Sequence, residues 1–329
     1  MNFECLAGQP ETRARLTRTL MNGKLSHAVL LTGPAGSGKR SWGRALAQAI
    51  LCRNRGEKGA CLNCEDCRLF NSGNHPDYSH IQPAGRAIKI DQIRSLRERF
   101  YLRSRVKVCL IEQAETMTGE ASSSLLKILE DPPPGLHFIL LAEKPRLLYD
   151  TILSRCQRYT LQPLGFQDLT DILVSRYNIS HETAAVLARI SKGLPGYAAA
   201  LAENGAASER IEEARTLAIN LVSGKDSARQ LLAWASSLAE RVDLLTFLEL
   251  FCLIFRGCLQ EKLGRNDDLF SEQGRIIAGT DDVTPQCLED IVILVNDVAN
   301  QIKTTNVNRR LLLEKMLILT QRRLQRCQK

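Results

Sequence analysis

At 329 residues the chain is longer than one hydrophobic core usually supports, so we expect two or three compact units. Its hydrophobic content of 44% excludes global disorder, and its aromatic content of 5% favours helix-dominated packing over an all-β sandwich. The net charge of +8 is compatible with an anionic partner, but an excess of this size is also common on an ordinary solvated surface.

No stretch of the sequence predicts a signal peptide or a membrane segment. The first residues, MNFECLAGQPETRARL, lack an apolar core of signal-peptide length, and no window approaches an apolar run of about 18 residues. We therefore expect a cytoplasmic protein with no membrane partner. Because disulfides are rare in that compartment, clustered members of the 11 cysteines are candidate metal ligands.

The first half of the chain alternates short apolar runs with segments of helical length. The predicted strands are residues 28–32, 77–82, 106–111, 138–141 and 158–161. The predicted helices among them are residues 40–52, 90–100 and 119–130. Strands that alternate with helices imply a parallel sheet with crossover helices on its faces, so this part is predicted to be α/β.

After Pro163 the strand pattern stops, and helical periodicity continues to the end of the chain. The pattern is interrupted near residues 193–196, 204–207 and 274–285. We expect boundaries near 163 and 207. They would separate a parallel-sheet domain, a small helical domain and an all-α domain, at residues 1–163, 164–207 and 208–329.

A glycine-rich turn follows the first predicted strand and opens the first predicted helix, with the sequence GPAGSGK. In that context the glycines let backbone N–H groups surround phosphate oxygens, and the lysine reaches the β- and γ-phosphates. The sequence therefore predicts a P-loop fold. Its nucleotide-binding residues would be Gly33, Gly36, Gly38 and Lys39.

Two departures from the P-loop pattern affect the magnesium site and the catalytic water. The residue after the lysine normally supplies a Mg²⁺-binding hydroxyl, but here it is Arg40, and Ser41 lies about 100° further round the helix. Glu112 and Gln113 stand where such ATPases place Asp and Glu, although Glu112 is equally compatible with a solvated strand end. The pattern leaves ATP binding open and argues against Mg²⁺ binding and hydrolysis.

Four cysteines are concentrated in the segment CRNRGEKGACLNCEDCRLF, which we predict to be one polar loop. Their spacing is C-x8-C-x2-C-x2-C, at Cys52, Cys61, Cys64 and Cys67. Four thiolates at this density are typical of tetrahedral Zn²⁺, and such a site is structural because no coordination position is left open. Unligated thiols and an iron–sulfur centre are the alternatives.

A four-cysteine segment directly after a P-loop helix resembles the subunits of the bacterial DNA polymerase III clamp loader, of the gamma/tau and delta-prime types. Shorter matches extend the resemblance, at residues 8–9 (GQ), 26–28 (SHA), 75–77 (HPD), 90–94 (IDQIR), 125–133 (LLKILEDPP), 145–148 (PRLL) and 151–156 (TILSRC). The resemblance is dense over residues 3–164 and thinner beyond. It implies an AAA+ (RecA-like) domain with a zinc knot, a helical lid and a helical collar that oligomerises.

The triplet Ser154-Arg155-Cys156 is similar to a signature of that family. The resemblance implies that Arg155 is an arginine finger, which reaches the γ-phosphate of ATP bound on a neighbouring subunit. Taken alone, an arginine at a strand edge is more often a surface ion-pair residue. Two positions where hydrolysing relatives carry polar sensors, near Ala142 and just after the Gly193–Gly196 turn, offer none here.

The departures affect groups that act on the chain's own nucleotide, whereas Arg155 would act on a neighbour's. This asymmetry favours the delta-prime type, with a degenerate ATPase of its own inside the DNA polymerase III holoenzyme. The resemblance implies gamma/tau and delta subunits, a sliding clamp and primed DNA as partners. The alternative is an active gamma/tau-like ATPase in which Ser41 and Glu112 rescue the metal site.

A third interpretation is an independent zinc-dependent nucleic-acid binder that uses the basic residues between Arg86 and Lys107. These are Arg86, Lys89, Arg94, Arg97, Arg99, Arg103, Arg105 and Lys107. The same stretch has apolar residues at helical spacing, namely Ile90, Ile93, Leu96 and Phe100. That spacing is more typical of a packed helix, so we consider this interpretation the weakest.

Overall fold

The structure is a computed structural model that describes residues 3, 6, 8–100, 106–203, 207–264, 283–305 and 307–327. The chain divides into two compact units, Met1–Ile172 with Ser191–Ala199, and Leu173–Ile190 with Ala200–Lys329. The domain boundaries near 163 and 207 stay predictions. The predicted interruptions at 204–207 and 274–285 lie largely outside the described residues.

The first unit contains a five-stranded parallel sheet, as predicted. Its strands are β1 (Ala28–Thr32), β2 (Tyr78–Ile81), β3 (Lys107–Ile111), β4 (Leu136–Ala142) and β5 (Gln157–Thr160). They lie in the order β2-β3-β4-β1-β5, and every neighbouring pair is parallel. The carboxyl ends of all five strands therefore lie at one edge, where ligands of open α/β sheets usually bind.

Apolar runs explain why the central strands are buried. Every residue of β1 and β3 is buried, as is all of β4 except His137. Successive side chains face opposite sides, so Val29 and Leu31 belong to one core cluster, and Ala28 and Leu30 belong to another. The sheet therefore separates two apolar layers.

Six helices accompany the sheet: α1 (Pro10–Met21), α2 (Lys39–Leu51), α3 (Glu65–Asn71), α4 (Ile90–Phe100), α5 (Gly119–Glu130) and α6 (Asp150–Leu153). Side chains of α1, α2 and α3, including Trp42 and Phe70, fill one apolar layer. Side chains of α4, α5 and α6, including Ile93 and Leu125, fill the other. The predicted α/β arrangement is confirmed.

The predicted bounds of β1, α4 and α5 are correct, and those of α2 and the other four strands differ by one or two residues. The prediction of one polar loop around the four cysteines is wrong at its end, because Cys67 lies on α3. Glu65 and Asp66 stand in the first turn of α3, where acidic side chains complement the helix dipole. Cys67 and Phe70, three residues apart, are both buried on one face.

The described part of the second unit is helical. It contains α8 (His181–Ile190), α10 (Ala207–Ser223), α11 (Ala228–Ala239), α12 (Leu244–Lys262), α13 (Pro285–Thr304) and α14 (Arg309–Cys327). Two further helices, α7 (Phe166–Tyr177) and α9 (Pro195–Glu203), contribute residues to both units. This part of the chain agrees with the predicted all-α composition.

Helix α12 packs on α13, and α11 packs on α14. Phe247, Phe251 and Phe255 recur every fourth residue on α12, with ring centroids separated by 6.4 and then 5.0 Å. Side chains four residues apart share one helix face, so these rings form a continuous apolar stripe in the core of this unit.

Among the described helices, none combines the length and the apolar character that crossing a membrane requires.

Two histidines lie side by side at the start of β1 and β4. The register pairs Ala28 with Phe138, so His27 and His137 are at the same level on adjacent strands. His137 Nδ1 is 3.3 Å from the carbonyl oxygen of Ser26. Burial lowers the pKa of His137; the Ser26 carbonyl opposes this shift, and the charges of His27 and Arg55 add to it. The fold therefore favours neutral His137.

We expect acidification to destabilise the fold through His137. Because the folded-state pKa is the lower one, the unfolded chain takes up the proton first as the pH falls below about 6.5, the ordinary histidine value. The stability that neutral His137 contributes is fully present above that pH, and it is lost as the pH falls through the folded-state pKa. His137→Gln, which keeps a donor for the Ser26 carbonyl, should flatten the fall in melting temperature between about pH 8 and pH 5.

His181→Gln is the matched control for this measurement, because His181 is an exposed histidine at the start of α8. It should leave the pH profile of the melting temperature as it is in the unaltered protein. Parallel profiles for His137→Gln and the unaltered protein would contradict the role given to His137.

Candidate functional site

The P-loop joins the end of β1 to the start of α2 and contains the predicted nucleotide-binding residues Gly33, Gly36, Gly38 and Lys39. Gly36 has a φ of 74°, which glycine adopts without strain. A Cβ on Gly36 would lie 3.2 Å from the backbone nitrogen of Tyr197. The N–H of Gly196 donates to the carbonyl oxygen of Gly36 at 2.7 Å. The start of α9 therefore packs directly on the P-loop.

Lys39, the first residue of α2, points back into the loop. Its Nζ donates to the carbonyl oxygens of Gly33 and Pro34, both at 2.8 Å, and lies 3.9 Å from Oε1 of Glu143. Burial lowers the pKa of Lys39, while Glu143 and Glu115 act in the opposite direction. Lys39, the residue predicted to bind phosphate, thus lies near the carboxylate of Glu143 in its own chain.

Arg40 and Glu112, the two departures noted in the sequence, contact each other. Arg40 Nε lies 2.9 Å from Oε1 of Glu112, and His80 Nε2 lies 2.7 Å from the same oxygen. The Glu112 side chain is only 17% exposed, and its Oε1 is contacted by both of these groups. A guanidinium therefore contacts the carboxylate at the position where related ATPases order Mg²⁺.

The turn after β3 and the end of β4 carry the residues at the predicted water-activating and sensor positions. Gln113 is exposed, with a φ of 49°, and its amide cannot accept a proton from water. Oε1 of Glu115 accepts from the N–H groups of Glu143 at 2.8 Å and Lys144 at 3.3 Å, so it holds the loop after β4. Ala142, at the predicted sensor position, is buried and apolar.

A cavity of about 320 Å³ lies at the carboxyl end of β5, lined by residues that include Gln9, Glu11, Thr160 and Asp168. The side-chain amide of Gln9 pairs with the backbone of Gln162, accepting from its N–H at 3.2 Å and donating to its carbonyl. A Cβ on Gly33 would lie 2.6 Å from the carbonyl oxygen of Leu161, so this strand end touches the P-loop. The cavity is therefore next to the P-loop.

The four cysteines predicted to bind zinc converge, and their sulfur atoms all lie within 4.8 Å of one another. The Sγ of Cys52 is 3.5 Å from that of Cys61 and 3.8 Å from that of Cys64. Zn–S bonds of about 2.3 Å in a tetrahedron place sulfur atoms about 3.8 Å apart. These side chains can hold a metal ion, and their geometry fits zinc.

Backbone N–H groups lower the pKa of Cys61 and contribute to the lowered pKa of Cys64, whereas burial raises the pKa of Cys52 and of Cys67. The N–H of Cys61 donates to Sγ of Cys52 at 3.3 Å, and the N–H of Cys64 donates to Sγ of Cys61 at 3.4 Å. Burial opposes ionisation of Cys64, but hydrogen bonds from the backbone of Cys67 and Arg53 and from neighbouring thiols outweigh it and lower its pKa to about 6. A thiolate is the form that binds a metal.

The cysteine cluster is continuous with the core that carries the P-loop. Cys52 caps the C-terminus of α2, and Cys52 and Cys67 belong to the same apolar layer as Trp42 of α2. Phe3 stacks on Trp42 with 6.1 Å between ring centroids. On the outer side Arg53 Nε pairs with Asp66 at 2.9 Å. The cluster therefore ties both ends of its loop to α2.

Arg155 lies between α6 and β5, with its side chain 35% exposed. Its Nη1 donates to the carbonyl oxygen of Thr151 at 3.0 Å, and its Nη2 donates to Oε1 of Glu130 at 3.0 Å. The predicted finger is thus near the surface and is engaged by its own chain. Sequence reasoning did not identify Glu130 as its partner.

Helices α4 and α5 enclose a groove of about 540 Å³, lined by residues that include Arg94, Ser123, Ser124 and Lys127. Ile93 and Leu96 of α4 are buried, as expected for a packed helix. The side chains of Arg97, Arg99, Phe100, Arg103 and Arg105 lie outside the described residues. Lys107 is buried rather than part of an open basic face.

Residues 8–165 match the protein family described as DNA polymerase III, delta subunit. The chain is 33% identical over 266 residues to the DNA polymerase III subunit delta' of Bacillus subtilis, covering 79% of this chain and 80% of that protein. With the delta' subunit of Pseudomonas aeruginosa it shares 31% identity over 310 residues, covering 89% and 91%. The tau subunit of Escherichia coli is 32% identical over 199 residues, which span 31% of tau.

The parallel sheet and the glycine-rich loop between β1 and α2 define an α/β domain of the P-loop class, with a four-cysteine cluster after α2. Similarity to the two delta' proteins extends over most of both chains, whereas the match to tau spans less than a third of tau. The chain belongs to the DNA polymerase III delta' family.

Proposed function

We propose that this chain is a stationary subunit of a bacterial clamp loader. The chain itself hydrolyses little or no ATP, and it supplies Arg155 to ATP bound on a neighbouring subunit. The observation that carries the proposal is the contact between Arg40 and Glu112 at 2.9 Å. It places a fixed positive charge of the protein against the carboxylate that would otherwise order magnesium. Arg155, in contrast, lies near the surface, where a second molecule can reach it.

The pocket is compatible with nucleotide binding but poorly equipped for cleavage. The glycine loop can present backbone N–H groups to phosphate oxygens, and a cavity of about 320 Å³ lies beside it. Hydrolysis needs a metal that bridges the β- and γ-phosphates and a group that activates water. Arg40 replaces the metal-binding hydroxyl, and Gln113 replaces the carboxylate, so both requirements are weakened in the same pocket.

We assign Cys52, Cys61, Cys64 and Cys67 to a structural zinc site. Four thiolates fill the tetrahedral coordination of Zn²⁺, which then crosslinks the segment between α2 and α3 and leaves no position for a substrate. The same residues connect to the apolar layer behind the P-loop. The metal would therefore stabilise the apolar layer against which α2 packs.

The family membership supports gamma/tau and delta subunits as the partners of this chain, and through the assembled loader a sliding clamp and primed DNA. The proposed division into an AAA+ domain at 1–163, a lid at 164–207 and a collar at 208–329 assigns assembly to the helical collar. The chain's contribution to the DNA polymerase III holoenzyme would be structural and, through Arg155, catalytic in a neighbour's site.

Mg²⁺-dependent ATP turnover by the isolated chain separates this proposal from an active gamma/tau-like ATPase. We expect the turnover of the unaltered chain to equal that of Lys39→Ala, because neither has a functional metal site. Arg40→Ser, which restores the hydroxyl and removes the guanidinium from Glu112, should increase Mg²⁺-dependent nucleotide affinity. Appreciable turnover that is lost in Lys39→Ala would contradict the proposal and favour the active ATPase.

A further inference from the structure

The guanidinium of Arg155 is held in place by two acceptors of its own chain. Nη2 donates to Oε1 of Glu130 at 3.0 Å, and Nη1 donates to the carbonyl oxygen of Thr151 at 3.0 Å. Glu130 is the last residue of α5, and Arg155 follows α6, so the contact joins two separate elements. The orientation of Arg155 is therefore set by a specific carboxylate.

The position of Glu130 makes this carboxylate an effective partner for a cation. The C-terminus of a helix carries a partial negative charge, and Glu130 adds a full one there. The field at this end of α5 therefore attracts Arg155.

The ion pair is nevertheless easily exchanged. The side chain of Arg155 is 35% exposed and that of Glu130 is 49% exposed, so water screens their attraction. A triphosphate carries more charge than one carboxylate and accepts forked hydrogen bonds from a guanidinium. Two anions cannot share the same face of Arg155 without repulsion, so a phosphate that takes up Arg155 must displace Glu130.

We propose that Glu130 is a positioning residue that holds Arg155 in a retracted state and competes for it with the triphosphate of the adjacent subunit. This inference rests on the proposed function of Arg155 and adds the regulation of that function. The loader would then suppress turnover at the adjacent site until assembly with the clamp and primed DNA brings the phosphate close enough to displace Glu130.

The test uses the complete reconstituted loader and measures ATP turnover against ATP concentration, with and without clamp and primed DNA. Glu130→Gln should raise the unstimulated turnover at subsaturating ATP about two- to fivefold, the range expected for release of an exposed ion pair. The stimulated maximal rate should not change. In the Arg155→Ala background, Glu130→Gln should have no effect, because nothing is left for it to release.

Asp131→Asn is the matched control, because it removes a negative charge from the same helix end without removing the partner of Arg155. It should leave both rates unchanged. Removing a negative charge from a helix C-terminus does not weaken the helix, so Glu130→Gln should melt no earlier than the unaltered chain.

The remaining outcomes overturn one statement or the other. If Arg155→Ala lowers turnover but Glu130→Gln matches the unaltered loader at every ATP concentration, the role of Glu130 is wrong and the finger stands. If Glu130→Gln lowers the stimulated rate as Arg155→Ala does, Glu130 presents the finger instead of retaining it. If Arg155→Ala changes nothing, the proposed function itself fails.

Discussion

Arg155→Ala is expected to silence ATP hydrolysis at one site of the reconstituted loader. An arginine supplied across an interface raises turnover by on the order of 10³-fold or more, because its charge stabilises the phosphoryl group in transfer. The DNA-stimulated ATP turnover of the whole loader should therefore fall by the fraction that the site next to this chain contributes. Assembly of the loader, measured by co-elution of its subunits, should be unaffected.

Two further variants make this measurement specific. Arg155→Lys keeps the positive charge but loses the planar fork of donors, so it should restore only part of the lost turnover. Arg146→Ala removes an exposed arginine from the same segment and should leave the ATPase unchanged. A loader that hydrolyses ATP at the full stimulated rate with Arg155→Ala would show that the residue is an ordinary surface cation.

The α/β part of the fold could be predicted because its local signals agree with one another. Apolar runs such as AVLLT and KVCLI are buried on both faces in a parallel sheet, and no alternation of polar residues interrupts them. The P-loop was predictable for a similar reason, since its glycines, its lysine and its flanking strand and helix are contiguous. The buried strands and the P-loop fold, each encoded within one contiguous segment, were therefore predicted correctly.

The electrostatic partners in the site could not be predicted, because each joins residues that are distant in sequence. His80 contacts Glu112 only because β2 lies beside β3, and strand order is not encoded in either strand alone. Glu143 reaches Lys39 because β4 lies beside β1. A parallel-sheet prediction already places the ends of β2 and β3 at one edge, which is the signal that could have suggested His80.

Helix α3 was missed for a different reason. Its seven residues are too few for helical periodicity to emerge, and the cysteines on either side of its start suggested a loop. The acidic pair Glu65-Asp66 is typical of a helix start, but so short a helix is stable only when Phe70 packs on an apolar surface. Tertiary packing against α2 thus determines this short element.

Loss of the metal from the four-cysteine site is expected to be the most destabilising single change in the chain. Cys64→Ala leaves three thiolates crowded within 4.8 Å and removes the crosslink between the segment after α2 and the start of α3. Structural zinc sites contribute on the order of 10 kcal/mol to folding in small modules. Even a fraction of that should lower the melting temperature by roughly 10 °C or more, since about 1 kcal/mol corresponds to 2–4 °C in a domain of this size.

Cys287→Ala is the control that separates metal loss from lost packing. Cys287 is 4% exposed, and thus more buried than Cys64, so a purely packing-based cost should be at least as large at Cys287. We expect the opposite order, together with one zinc per chain in the unaltered protein and in Cys287→Ala but none in Cys64→Ala. Iron with visible absorbance in place of zinc would contradict the assignment. The sulfur atoms lie close enough to suit a single ion, whereas the ligands of an iron–sulfur cluster bind different irons and lie further apart.

Melting of the cysteine segment should also loosen the P-loop, because Cys52 caps the C-terminus of α2 and Lys39 begins the same helix. Limited proteolysis near residue 36 would detect this loosening.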